Sequence, residues 1–182
     1  MQCTDCASVC LHARGLVHRD IKPDNLGCSE REGGQGTILD LGLAIRDGNP
    51  DDPSAGSLAY GAPEVLNQLR KGDFTRLEAK TRRKADVYAI GWASMELLVE
   101  DAMGDQLKVV VSGAEGVTES LLGDAWERLE HLKEMSDGDP VASGLCSIVR
   151  DVLVQSSEER PTACDVVLQL EELKRNNQAR FE

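Results

Sequence analysis

The sequence predicts a mainly α-helical fold with a few short β-strands. The first observation is residues 86–100 (DVYAIGWASMELLVE), which are apolar on nearly every side, as is typical of a buried helix. The second is a set of one-sided helical stripes at residues 118–135, at 142–154 and beyond Thr162. The third is the front of the chain, where short apolar runs alternate with glycine-rich polar segments. At 182 residues, the chain is expected to form one domain, 1–182.

The bulk composition narrows the class of partner. A formal net charge of -12 argues against non-specific binding to nucleic acid, which needs clustered Lys and Arg. No apolar run approaches the roughly 20 residues of a membrane helix. The start, MQCTDCASVC, lacks the basic head and apolar stretch of a signal peptide. We therefore expect a cytoplasmic or nuclear protein with no nucleic-acid and no membrane partner.

The first third of the chain predicts short elements joined by loops. Residues 3–14 have the pattern of a helix end that stops at Gly15. The apolar runs NLGC (25–28) and TILD (37–40) are separated by SEREGGQG, which predicts a hairpin. Residues 42–61 contain too many Gly and Pro for a long regular element, so a long loop is expected.

Three cysteines near the start leave two interpretations open. Cys3, Cys6 and Cys10, with His12 or His18 as a fourth ligand, could form a zinc site. The same spacing places the three on one helical face, where Cys acts as a small hydrophobic residue. We favour the helical face, because structural zinc sites usually use two close ligand pairs.

Residues 66–84 form a basic stretch in an otherwise acidic chain. Its cations are Arg70, Lys71, Arg76, Lys80, Arg82, Arg83 and Lys84, opposed by Asp73 and Glu78. We expect a solvated helix face, with some attraction to the acidic loop 40–64. Further on, Thr162 and Asp165 predict a capped start for the last helix, and 175–182 are expected to fray.

Two polar clusters, each next to an apolar run in the sequence, indicate a functional site. They are His18-Arg19-Asp20 with Asn25, and Asp40-Leu41-Gly42. A polar group in apolar surroundings is costly unless it has a partner, so two such clusters in one short region favour a site over a surface. Taken singly, Asp20 could be a turn residue, Asn25 a cap and Asp40 a strand-end carboxylate.

Five motifs in order resemble the eukaryotic-type protein kinase family. HRDIKPDN at 18–25 resembles its catalytic loop and DLG at 40–42 its metal-binding motif, with Leu41 in place of Phe. APE at 62–64, DVYAIG at 86–91 and ERPTA at 159–163 resemble three later motifs. The likeness covers roughly residues 8–174. It implies a catalytic loop at 18–25, an activation segment at 40–64 and a helical subdomain at 86–174.

The resemblance implies phosphoryl transfer from ATP with Mg²⁺ as cofactor, acting on a protein substrate. Asp20 would accept or orient the substrate's hydroxyl proton, and Lys22 would reach the transferred phosphoryl group. Asn25 and Asp40 would supply oxygen ligands to Mg²⁺. Lys22, two residues after Asp20, and Ser57, beside the substrate pocket, resemble the serine/threonine branch.

Further roles follow from the same resemblance. Asp86 would accept hydrogen bonds from the catalytic-loop backbone, and His18 would pack on Leu41. Glu64 and Arg160 would form a buried ion pair. Ser54 is a candidate activating phosphosite, with Arg19 beside Asp20 able to grip a loop phosphate.

The 17 residues before His18 contain neither a glycine-rich loop nor a V-A-I-K-like lysine. We therefore expect a kinase-like C-terminal lobe, with the N-terminal β-lobe absent from this chain. The exposed lobe face could then be covered by a protein partner. The alternative function is a non-catalytic, kinase-like module that binds a partner.

Overall fold

The computed structural model describes residues 7–28, 36–49, 56–72, 77–103, 119–135 and 138–180. Six helices lie in these ranges: α1 Ala7–Ala13, α2 Pro63–Lys71, α3 Ala79–Met103, α4 Glu119–Met135, α5 Pro140–Val152 and α6 Ala163–Asn176. Four short strands accompany them: β1 Leu16–Val17, β2 Leu26–Cys28, β3 Gly36–Ile38 and β4 Ile45–Arg46. The expected mainly α fold with a few short strands is confirmed. None of the described helices is both long and apolar enough to cross a membrane.

The strands pair into two small antiparallel ladders that frame the front of the molecule. β2 pairs with β3, so that Leu26 lies opposite Ile38, and this confirms the hairpin predicted from NLGC and TILD. β1 pairs with β4, with Val17 opposite Ile45. The two ladders hold residues 18–25 and 39–44 as loops at one end of the helical body.

α3 is the central element of the core. Tyr88, Trp92 and Met95 are each at most 1 % exposed, so the predicted helix is buried in the core. The prediction that it is buried on every side is wrong at Leu97, which is 52 % exposed. Leu129 of α4 and Leu153, which follows α5, complete the same apolar cluster. α4 and α5 pack on α3 and on each other, and α6 packs on α5 and places Ala163 against Val87 of α3. The stripe predicted for 118–135 is wrong at its end, since Met135 is 63 % exposed.

The prediction that the basic stretch is a solvated face is wrong at two residues. α3 begins at Ala79, before the predicted start at Asp86, so the stretch enters the packed helix. Arg82 and Lys84 are only 2 % and 6 % exposed. The Lys84 ammonium donates to the Glu158 carbonyl oxygen at 3.0 Å.

The expected attraction between the basic stretch and the loop 40–64 is confirmed at one ion pair, in which Arg83 of α3 binds the Asp47 carboxylate just after β4. This contact ties the start of the loop to the central helix.

The C-terminal helix is capped as its sequence predicts. The Thr162 hydroxyl accepts from the Asp165 N–H at 3.2 Å, and the Asp165 carboxylate accepts from the Thr162 N–H at 2.8 Å. The fraying expected at 175–182 is not seen over residues 175–180. α6 continues to Asn176, a 3-10 turn spans Gln178–Arg180, and Arg180 pairs with Asp139 at 2.7 Å. That ion pair fixes the turn against the start of α5.

Candidate active site

The segment 18–25 is a loop between β1, which ends at Val17, and β2, which begins at Leu26. It contains a 3-10 turn over Pro23–Asn25. His18, Asp20 and Asn25 are 1 %, 8 % and 7 % exposed, so three polar side chains of the loop are buried. Arg19 has a φ of 72°, a left-handed conformation that is rare for a residue with a side chain. The surrounding hydrogen bonds must therefore hold this conformation.

Asp86 on α3 anchors that conformation. Its Oδ2 accepts from the His18 backbone N–H and its Oδ1 from the Arg19 backbone N–H, each at 2.8 Å. Asp86 is itself only 2 % exposed. These are the backbone contacts that the family resemblance implies for Asp86. A rigid, buried helix thus sets the backbone directly before Asp20.

Four donors converge on the Asp20 carboxylate. Its Oδ1 accepts from the Ser57 N–H at 2.9 Å and from the Ser57 hydroxyl at 2.7 Å. Its Oδ2 accepts from the Asn25 amide at 3.0 Å and faces the Lys22 ammonium at 3.2 Å. A carboxylate offers about four lone-pair sites, so these donors occupy the group fully. The arrangement fixes its orientation.

These donors also set the charge of Asp20. Burial raises the pKa of its carboxyl, but the Ser57 and Lys22 hydrogen bonds and the Lys22 charge outweigh it. The pKa therefore lies below its ordinary value. Asp20 is a carboxylate at neutral pH, which is the form that can accept a proton.

The Lys22 ammonium lies between two groups of the site. It is 3.2 Å from the Asp20 Oδ2 and donates to the Ser57 hydroxyl oxygen at 3.2 Å. The contact with Ser57 crosses from the loop 18–25 to the segment before α2. Gly56 makes this approach possible, because it has a φ of 107° and a Cβ there would lie 2.3 Å from the Arg19 carbonyl oxygen. Ser54 lies outside the described residues.

The hairpin brings Asp40 beside Asn25. The Leu39 N–H donates to the Asn25 carbonyl oxygen at 2.8 Å, which extends the β2–β3 ladder by one bond and places Asp40 next. Asp40 has a φ of 57° and its exposed carboxylate accepts from the Gly42 N–H at 3.0 Å. The Asn25 amide nitrogen already donates to Asp20, so its amide oxygen is the atom it can offer to a cation.

His18 makes polar contacts through both ring nitrogens. The His18 Nδ1 accepts from the Asp20 N–H at 3.3 Å, and its Nε2 lies 3.0 Å from the Leu39 carbonyl oxygen. The packing of His18 on Leu41, which is 52 % exposed, stays a prediction. Because both ring nitrogens have polar partners, His18 joins the catalytic loop to the end of β3.

Glu64 and Arg160 form a bidentate ion pair behind the site. The guanidinium donates to the Glu64 carboxylate at 2.8 Å and 3.1 Å, and its side chain is 0 % exposed. It also donates to the carbonyl oxygens of Lys84 and Val154, and lies 4.8 Å from the centre of the Tyr88 ring. The pair joins the first turn of α2 to the segment before α6.

Comparison with known proteins agrees with this geometry. A family model for the protein kinase domain matches residues 4–170. The chain belongs to the protein kinase family.

Three relatives show how far the similarity extends. The chain is 31% identical over 138 residues to a Wee1-like protein kinase from Oryza sativa subsp. japonica, covering 72% of this chain and 23% of the relative. It is 39% identical over 98 residues to the serine/threonine-protein kinase PknJ of Mycobacterium tuberculosis, covering 50% and 15%. A probable myosin light chain kinase from Dictyostelium discoideum is 38% identical over 91 residues, covering 48% and 26%. The chain thus spans about a quarter or less of these kinases.

One residue of the kinase site was missed by the sequence analysis. The His12 Nε2 lies 2.9 Å from the Asp86 Oδ2, which also accepts from the His18 N–H. His12 was considered only as a metal ligand, since nothing in the local pattern links α1 to a residue 74 positions away. In the described ranges, no group of three or more His, Cys, Asp or Glu could hold a metal, and Cys3 and Cys6 lie outside them.

Proposed function

We propose that this site transfers phosphate from ATP to serine or threonine hydroxyls of a protein substrate. The observation that carries the proposal is the position of Lys22, whose ammonium touches both the Asp20 carboxylate and the Ser57 hydroxyl. A positive charge beside a carboxylate and a hydroxyl suits a reaction that consists mainly of positioning and charge stabilisation. The substrate oxygen attacks the γ-phosphorus, its proton passes to Asp20 or solvent, and ADP leaves.

The donor set of the site fits a divalent cation. The Asn25 amide oxygen and the Asp40 carboxylate are hard oxygen ligands, which Mg²⁺ prefers, and the β2–β3 ladder holds them on neighbouring positions. Members of the family use ATP with a divalent metal, which neutralises charge on the phosphates. In this chain, Asn25 and Asp40 are the residues proposed to hold it.

The hydrogen bonds that Asp20 already accepts determine how a substrate hydroxyl can reach its carboxylate. An incoming hydroxyl must replace one of four donors. The Ser57 hydroxyl is the donor that can turn away by rotation about one bond, whereas the Ser57 N–H belongs to the backbone. We infer that Ser57 keeps Asp20 oriented until a substrate hydroxyl takes its place.

The chain on its own is expected to transfer phosphate slowly. Its motifs include none of the groups that would grip adenine or the α- and β-phosphates. Proximity and orientation can contribute about 7–11 kcal/mol to lowering a barrier. Each ~1.4 kcal/mol of this contribution that is lost raises the barrier and slows the reaction tenfold. We therefore propose that 1–182 supplies the catalytic-loop half of the site.

A second candidate function is binding to a protein partner without catalysis. It is favoured by three exposed leucines beside the site: Leu39 at 48 %, Leu41 at 52 % and Leu43 at 39 %. Such an apolar patch next to buried polar groups suits a protein surface that covers it. The same patch would be covered in a complete kinase, so activity distinguishes the two candidates.

The test joins the ATP-binding lobe of an established serine/threonine kinase in front of residue 1 and measures radiolabelled phosphate transfer to generic protein substrates. We expect transfer to serine and threonine that is lost in Asp20→Asn. The matched control is Asp24→Asn, because Asp24 is an exposed carboxylate of the same loop. It should retain the full rate.

The chain 1–182 without the added lobe is the second arm. Rapid Asp20-dependent transfer by 1–182 alone would overturn the expectation that ATP positioning is missing. A folded chimera that binds ATP but transfers no phosphate would contradict the kinase proposal and favour the partner-binding function. Thermal unfolding of each protein shows whether it is folded.

A further inference from the structure

A cleft of about 530 Å³ is lined by His12, whose ring contacts Asp86. It lies between α1, the first two turns of α3 and the start of α6. We propose that this cleft binds a small amphipathic anion, with an apolar body and a single carboxylate or phosphate head. The volume falls within the roughly 300–1,000 Å³ typical of small-molecule sites.

The walls of the cleft are aliphatic. Val9 and Ala13 face it from α1, Val87 from α3 and Ala163 from α6. Val87 and Ala163 are only 1 % and 7 % exposed and belong to a small apolar cluster at its base. An apolar ligand body would gain about 25 cal/mol for each Å² of surface that it buries here.

The rim of the cleft is cationic. Lys80, Arg83 and Lys84 line it on successive turns of α3, and none of the described lining residues is acidic. Lys84 is only 6 % exposed, and its ammonium donates to the Glu158 carbonyl oxygen. A buried ammonium has three N–H donors.

Arg83 adds one donor without an acceptor. Its terminal nitrogen pairs with Asp47, but its buried Nε has no hydrogen-bond partner among the described residues. A buried donor without an acceptor is costly. The Lys84 ammonium donates to one neutral carbonyl oxygen, and the Asp165 carboxylate is the opposite charge that acts on it. An oxyanion at the rim would supply acceptors to both groups, and this is what selects an anion over a neutral ligand.

The carboxylates nearby are engaged elsewhere. Asp47 holds Arg83, Glu158 holds the exposed Lys80 at 3.3 Å, and Asp165 accepts from Thr162. A bound oxyanion would compete with the exposed Lys80–Glu158 pair, and exposed pairs contribute little. It would also compete with the Asp165 charge for Lys84. His12 also lines the cleft and contacts Asp86, so an occupied cleft lies one side chain from the catalytic-loop anchor.

A cysteine at the mouth gives a direct readout of binding. Cys164 is exposed and lines the cleft, whereas the exposed Cys28 on β2 does not. The probes are octanoate and octyl phosphate, with 1-octanol as the neutral molecule of the same chain length. Alkylation of each cysteine in 1–182 is followed by peptide mass spectrometry, and affinities are measured by calorimetry.

We expect octanoate or octyl phosphate to slow alkylation of Cys164 and leave Cys28 unchanged. Whichever of these two anions binds with the higher affinity identifies the preferred head group as carboxylate or phosphate. 1-Octanol should bind about tenfold more weakly, which corresponds to ~1.4 kcal/mol. Equal binding of the neutral alcohol, or no protection of Cys164 by either anion, would overturn the proposal.

Two variants locate the ligand. Lys84→Met keeps the apolar stem and should weaken anion binding about tenfold, or ~1.4 kcal/mol, and Lys174→Met, an exposed lysine of α6 away from the cleft, should not. Ala13→Leu fills the cleft from an exposed position without removing a hydrogen bond, so it should abolish protection even if Lys84→Met proves unfolded. Protection that survives Ala13→Leu in a folded chain would contradict the assignment.

Discussion

Ser57 donates twice to one oxygen of Asp20. Its hydroxyl lies 2.7 Å and its backbone nitrogen 2.9 Å from the Asp20 Oδ1. Asp20 belongs to the loop between β1 and β2, and Ser57 precedes α2, so the two donors join segments 37 positions apart. A carboxylate held by several donors keeps its charge and its direction.

Replacing Ser57 by Ala should raise the pKa of Asp20, because the hydroxyl that favours the charged form is removed while burial remains. Carboxyl NMR titration of 1–182 measures this directly. Ser57→Thr retains the hydroxyl and should leave the pKa close to that of the parent chain. An unchanged pKa in Ser57→Ala would show that Lys22, Asn25 and the backbone N–H of residue 57 hold the charge without the hydroxyl. Since the folded pKa is lowered, the associated stability is present above the unfolded pKa and is lost as pH falls through the folded one.

Gly56→Ala should separate the activation segment from the catalytic loop. A Cβ at this φ of 107° would lie 2.3 Å from the Arg19 carbonyl oxygen, so the backbone must move. The matched control is Gly72→Ala, which also has a positive φ, 59°, but no atom of the described residues within 4 Å of the added Cβ. The control should cost about 1–2 kcal/mol, the usual cost of a left-handed residue with a side chain.

Urea unfolding of both glycine variants gives the comparison. Gly56→Ala should destabilise the chain by more than Gly72→Ala, or detach the Ser57 contacts and raise the pKa of Asp20. If the two variants behaved alike in both measurements, the close approach to Arg19 would not matter.

Glu64→Ala should destabilise the fold by about 3–5 kcal/mol, because it leaves the buried Arg160 guanidinium without its counter-charge. The control is Glu130→Ala, which breaks the exposed pair between Glu130 and Arg150 at 2.8 Å. Exposed pairs contribute about 0–1 kcal/mol, so the midpoint in urea should change little. Equal losses in the two variants would mean that burial does not set the strength of the Glu64–Arg160 pair.

The features predicted correctly from the sequence are those that depend on residues close together in the chain. The stripes of α4 and α5, the apolar α3 and the Thr162–Asp165 cap depend on residues close in the chain, and each is found in the structure. The ordered motifs placed Asp20, Lys22 and Asn25 in one loop before any contact was known.

Contacts set by packing were beyond that reasoning. Arg82 and Lys84 look like surface cations in the sequence, because burial there depends on how distant segments pack over α3. His12 contacts Asp86 across 74 positions, and the His18 Nε2 lies within hydrogen-bond distance of the Leu39 carbonyl oxygen. Such bonds have no periodic signature.

Mn²⁺, a paramagnetic substitute for Mg²⁺, should broaden the amide NMR signals of Asn25 and Asp40 in 1–182. The reason is that both residues carry side-chain oxygen atoms, and Asp40 directly follows Leu39, whose N–H donates to the Asn25 carbonyl oxygen. Asp40→Asn should reduce the broadening at Asn25, whereas Asp24→Asn, which changes an exposed carboxylate nearby, should not. Broadening at Asp24 alone, or none at either residue, would place the metal elsewhere.

Thr162→Ala should destabilise the chain by about 1 kcal/mol, since an N-cap hydroxyl typically contributes 0.5–2 kcal/mol. Thr162→Ser retains the hydroxyl and should lose much less. The Thr162 hydrogen bonds lower the pKa of Asp165, so the contribution of the cap is complete above the unfolded pKa of Asp and is lost as pH falls through the folded value. The difference between the parent and Thr162→Ala in urea should therefore be larger at pH 7 than in acid. A gap that stayed constant with pH would show that the Asp165 charge takes no part in the cap.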